Sequence, residues 1–147
     1  DSVPGDEFFG FGVQMDIAML KKYGIDIQIT DIRTWMQLTP EFEYRMATEG
    51  SGLEECYLIA YGNIPAITDH AGMDELFVIE KLYRIASVME RGSCLTVMPH
   101  GHCAGMPIAD YVQQYRRQAD GYRYNNVDIL AYSLDNAIYE MEYAEEE

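Results

Sequence analysis

The sequence predicts an α+β fold, a small mixed sheet of about four strands packed with about four helices, and three observations predict it. Short runs rich in aromatic and β-branched residues alternate with longer runs whose apolar residues recur every three and four positions. Glycine and proline punctuate the boundaries between these runs. At 147 residues, 48% hydrophobic and 12% aromatic, the chain has enough apolar material for the core of one domain, so disorder is disfavoured.

Residues 1–7 read as an acidic lead-in with Pro4-Gly5 as turn material. Phe8-Phe9-Gly10-Phe11-Gly12-Val13 interleaves aromatics with glycine, as a strand or a close backbone crossing does. Its glycines lack the spacing of a phosphate loop and the following Lys-Ser/Thr, so no nucleotide site is expected there. A short helix is predicted over residues 16–23, closed by Gly24. Ile25, Ile27 and Ile29 then alternate with Asp26, Gln28 and Thr30, the period of a half-buried strand.

Thr39-Pro40-Glu41 opens a helix over residues 40–48, with a capping hydroxyl, proline at the first helical position and an acid at the positive end of the dipole. Glu49-Gly50-Ser51-Gly52 follows as the loosest link, the place for a lobe boundary near residues 49–53 in an otherwise single domain. Residues 54–61, Glu-Glu-Cys-Tyr-Leu-Ile-Ala-Tyr, carry the composition of a central strand. After the turn Gly62-Asn63-Ile64-Pro65, a helix over residues 73–91 buries the stripe Leu76, Ile79, Leu82, Tyr83, Ala86 and Met89 and stops at Gly92.

Residues 93–98 give a fourth strand and 99–105 a loop. A helix from Pro107 stops near Asp120-Gly121. The last helix, over residues 127–143, has the clearest period, with Val127, Leu130, Ala131, Leu134, Ala137, Ile138 and Met141 on one face.

Charge bounds the function. Twenty-five acids against ten bases leave a formal net charge of −15, which repels nucleic acid and anionic membrane and favours a basic protein partner. The odd set of Cys56, Cys94 and Cys103 reads as cytosolic thiols. No apolar run approaches a membrane span and no signal-peptide pattern is visible, so a cytoplasmic protein is expected. The chain opens on Asp1 rather than methionine, as a fragment or a trimmed chain does. Self-association as a homodimer stays open.

Three groups of residues could carry chemistry. Cys94, His100, His102 and Cys103 include zinc-ligand types, but their spacing matches neither a knuckle nor a finger, and no metal or other cofactor is expected. A small enzyme or a zinc-binding protein centred on the same loop, residues 94–103, is the alternative, the enzyme having Cys103 activated by His100 or His102 and Asp110 as orienting acid. The third group is the C-terminal segment, where Asp128, Asp135, Glu140, Glu142 and Glu145 to Glu147 meet no Lys or Arg. Asp128, Asp135 and Glu142 are seven apart, which spaces them by about 10 Å along one side of a helix. Tyr132 and Tyr139 fall close to the same side, so these six residues, Glu140 included, form the expected partner-binding face.

The run Glu54-Glu55-Cys56-Tyr57-Leu58-Ile59-Ala60-Tyr61-Gly62-Asn63-Ile64-Pro65, continuing through Ile67-Thr68-Asp69-His70-Ala71-Gly72-Met73-Asp74-Glu75-Leu76, resembles the middle of ArdA-type antirestriction proteins. Tyr61-Gly62 stands where that family has an Asp-Tyr-Glu type turn, and the family's Lys-Tyr-Asn-rich opening is missing. The resemblance implies a small acidic α+β protein that imitates the charge of duplex DNA, fills the DNA groove of a restriction enzyme and has no catalytic residues. Anti-CRISPR proteins share that logic. The expected function is therefore a non-enzymatic, acidic DNA-mimic inhibitor that blocks the nucleic-acid channel of a host defence nuclease. An acidic interaction domain of a larger mobile-element protein is a further alternative.

Overall fold

Helices dominate this chain, and the expectation of a four-stranded α+β sheet is overturned. The structure, a computed structural model, describes residues 8–26, 28–65 and 73–145. In order these form β1 (Phe8–Gly10), α1 (Gln14–Lys22), β2 (Ile29–Asp31), α2 (Ile32–Met36), α3 (Pro40–Glu49), α4 (Leu53–Tyr61), α5 (Met73–Ser87), α6 (Ile108–Gln114), α7 (Arg116–Asn125) and α8 (Ile129–Glu145).

The first two predicted strands survive as a short parallel pair, with Phe8 beside Ile29, Phe9 beside Thr30 and Gly10 beside Asp31. A parallel pair needs a crossover, and α1 supplies it. The predicted fourth strand is an extended segment that makes only single bridges, Met89 to Leu95 and Val97 to Pro107.

The predicted central strand is helix α4, and the physical reason is readable in hindsight. Leu53, Cys56, Tyr57, Ala60 and Tyr61 stand at i, i+3, i+4, i+7 and i+8, which is one face of a helix. Cys56, Tyr57, Ile59 and Ala60 are buried, whereas Leu58 faces outward. Glu54 and Glu55 lie in the first turn at the positive dipole end, and Gly62 closes the helix in the left-handed region at φ 78°. A β-rich composition loses here to tertiary burial. The strand that the ArdA-type resemblance implies is therefore absent from this segment, and its residues 66–72 lie outside the described part of the chain.

Other elements follow their sequence signals. Helix α3 starts at Pro40 as predicted, with Phe42 and Met46 buried, but the Thr39 hydroxyl donates to the Glu90 carbonyl at 3.4 Å instead of capping the helix. Helix α5 buries Val78, Leu82, Ile85 and Ala86, while Leu76, expected in its buried stripe, is exposed. The single helix expected after Pro107 is two, because Tyr115 leaves helical geometry at φ −127°, ψ 46° between α6 and α7.

One cluster of buried residues, from Ile32 to Ile138, draws on α2 through α8. It runs through both sides of the link at residues 50–52, and α3 packs directly on α4. Helix α4 also packs against α5 and α8, and α8 lies against α6 and α7. At the other end Phe9, Trp35 and Tyr83 pack ring on ring and tie β1 to α2 and α5, with centroids 4.5 Å apart for Phe9–Tyr83 and 6.2 Å for Trp35–Tyr83. Among the described residues no helix is long and apolar enough to cross a membrane.

Candidate acidic interface

The expected row of acids on the last helix does not stand as one face. Asp128 is fully buried and caps α8: its Oδ1 accepts the Ala131 amide at 2.8 Å, and its backbone oxygen accepts the Tyr132 amide at 3.1 Å. Its Oδ2 accepts a short hydrogen bond from the Tyr122 hydroxyl. A side chain held this way cannot meet a partner, so Asp128 is removed from the expected face. Asn-Val-Asp ahead of the apolar run was a capping signal, and the sevenfold spacing masked it.

Asp135 and Glu142 do lie on the surface, but α7 neutralises them. Arg123 donates to Asp135 at 2.6 Å and Arg116 to Glu142 at 2.7 Å, and both arginines also hold Asp120. Tyr132 lies beneath the Arg45 guanidinium, 5.0 Å from its ring centroid, and Arg45 itself binds Glu49 and the Val127 carbonyl. Tyr139 is exposed and stacks on Tyr143 at 5.3 Å.

Glu140 is the predicted acid that remains available, and it joins two acids that sequence reading did not group with it. Glu41 at the start of α3, Glu90 beyond α5 and Glu140 on α8 line one cleft of about 400 Å³. Ser93, Cys94, Ser133 and Asn136 are also in its wall, and no lysine or arginine is among the described residues that line it. One oxygen of Glu41 is buried with no hydrogen-bond partner among the described residues. These three acids come together through contacts across about a hundred residues of chain, which no local pattern encodes.

Cys94 and His100 of the predicted Cys/His loop have different neighbours. The Cys94 thiol accepts the Asn136 amide at 3.5 Å, on the side of α8. His100 instead stacks on Tyr61 of α4, at 6.0 Å. Burial pulls the His100 imidazole below its ordinary pKa, against the opposing pull of Asp128. Cys103 packs at the edge of the core. Among the described residues no group of three or more His, Cys, Asp or Glu side chains is placed to hold a metal ion.

Two of the thiols, Cys56 and Cys94, are unlike activated nucleophiles. Burial pushes Cys56 up to about 12, and burial with the nearby Glu41 charge pushes Cys94 up to about 11. Alkylation of the folded protein with iodoacetamide at pH 8 is therefore expected to modify Cys103 alone, the half-buried thiol, with Cys56 and Cys94 reacting only in denaturant. Mass mapping of the adducts checks this. Native-state labelling of Cys94 would show that its wall is open.

Comparison of the chain with protein-family models, with curated proteins and with solved structures finds no match.

Proposed function

We propose that this protein is a non-enzymatic inhibitor whose carboxylates occupy the positively charged nucleic-acid channel of a host defence nuclease, a restriction enzyme or a CRISPR effector. The observation that carries this reading is the cleft of Glu41, Glu90 and Glu140, unrelieved by any lining base, in a chain of net charge −15. A channel built to hold phosphates presents arginine and lysine side chains, and these gain charge-assisted hydrogen bonds by entering such a cleft. Glu140 belongs to the expected partner-binding face, whereas exposed Tyr139 lies on the flank with Arg123, Asp135 and Glu142 and is not part of the cleft. The reading requires no cofactor and no catalytic side chain, and it puts the protein in the cytosol with its target.

The test is inhibition of a basic nuclease by the whole chain across a salt series. Affinity is expected to fall steeply as salt rises, because the contacts are ionic. The double variant Glu90→Lys/Glu140→Lys, at two exposed positions, is expected to weaken binding by about a hundredfold at physiological salt. The control Asp135→Asn/Glu142→Asn, at positions already paired to arginine, is expected to change it by no more than about threefold. Inhibition that ignores salt, or that survives the double reversal, would refute the reading.

A further inference from the structure

A second opening has a different lining from the acidic cleft, although Leu38 in its wall accepts the amide of Gly92 in the cleft at 3.3 Å. It encloses about 730 Å³ and is lined by both strands, by α2 and by Tyr83 of α5. Phe9, Trp35 and Tyr83 form an aromatic wall, and Thr30, Asp31 and Thr34 supply the polar groups. A concave surface that sets aromatic rings beside polar groups is a usual form of small-ligand site.

Asp31 gives that site its sign. It is 8% exposed, and its Oδ1 accepts two backbone amides, Gly12 at 2.9 Å and Arg33 at 3.1 Å. Its Oδ2 is buried and takes no donor among the described residues. The Arg33 head lies over the Phe11 ring, 5.5 Å from its centroid, and makes no ion pair with Asp31 among the described contacts. No lysine or arginine is among the residues that line the opening. Little solvent screens a buried carboxylate that makes no ion pair among the described residues. The faces of the aromatic rings add negative potential of their own.

From these features we infer that the cleft binds a small organic cation, an ammonium group carried on an apolar or aromatic body. The ammonium sits against Asp31 and the ring faces, and the apolar body fills the space beside Trp35. Anions are repelled by Asp31, and neutral analogues lack the charge that the site attracts. This site is independent of the acidic cleft, with which it shares no lining residue.

Trp35 is the chain's single tryptophan and lines the opening, so its fluorescence reports occupancy directly. The probes are phenethylammonium and its neutral counterpart 2-phenylethanol, titrated into the full chain at fixed ionic strength. A saturable change with the cation, at least tenfold tighter than with the alcohol, is expected. Asp31→Asn retains an oxygen for the Gly12 and Arg33 amides while removing the charge, and is expected to abolish that tenfold preference. Thr34→Lys puts a positive charge at the mouth from an exposed position without touching those hydrogen bonds, and is expected to abolish it too. Circular dichroism verifies that both variants are folded, and Thr34→Lys decides the matter if Asp31→Asn is not. Glu90→Lys/Glu140→Lys is expected to leave the titration unchanged. Equal binding of alcohol and cation, no saturation, or a preference that survives in the folded variants would overturn the inference.

Discussion

Replacing Asp128 with alanine is expected to lower the unfolding free energy by about 3 kcal/mol, combining a lost helix cap with a stranded buried hydroxyl. The cap is the Ala131 amide bound at 2.8 Å, at the start of the 17-residue helix that packs against α4, α6 and α7. The hydroxyl is that of Tyr122, whose pKa is pushed up by burial and then by its hydrogen bond to the same carboxylate. Asp128→Asn keeps an oxygen for the cap and is expected to lose less than half as much. Urea denaturation followed by far-ultraviolet circular dichroism measures both. A loss below about 0.5 kcal/mol for the alanine variant would mean that Asp128 is in water after all. That outcome would return it to the outward-facing row that its spacing suggests.

The second large effect belongs to Phe42, which is completely buried on α3. Phe42→Ala is expected to cost about 3–5 kcal/mol, the transfer free energy of the ring plus that of the cavity it leaves. The same denaturation experiment reads it. A cost near 1 kcal/mol would show that α3 is loosely seated against α4, and the placement of Glu41 two residues into α3 would lose its support. One substitution precedes α8 and the other lies on α3, so each tests a separate part of the frame that holds the acidic cleft.

Where the sequence announced an element through its ends, the structure follows it. Helix α3 is marked by Pro40, and α8 by an apolar period that holds from Leu130 to Met141, although Val127, expected to open it, precedes the helix and is exposed. The failure at α4 has a definite cause. Over nine residues, burial on one face gives tyrosine, isoleucine and cysteine whether the backbone is strand or helix, and composition then points to the wrong one. The three-and-four spacing of Cys56, Tyr57 and Ala60 was the better guide. The candidate interface was only partly legible for another reason. Glu140 could be picked out as an acid on an outward face, but Arg116 and Arg123, which neutralise its neighbours, arrive from α7. Glu41 and Glu90 reach the cleft from distant stretches of chain. Pairing between helices far apart in sequence is a product of packing, and periodicity within one helix does not encode it.

The two arginines of α7 also give the molecule an electrical heading. They lie along one flank of α8 and pair with Asp135 and Glu142, while Glu140 on the opposite flank lines a cleft with no lysine or arginine among its described residues. A protein charged so unevenly does not tumble at random near a cationic wall. The field turns it, and the bare flank arrives first.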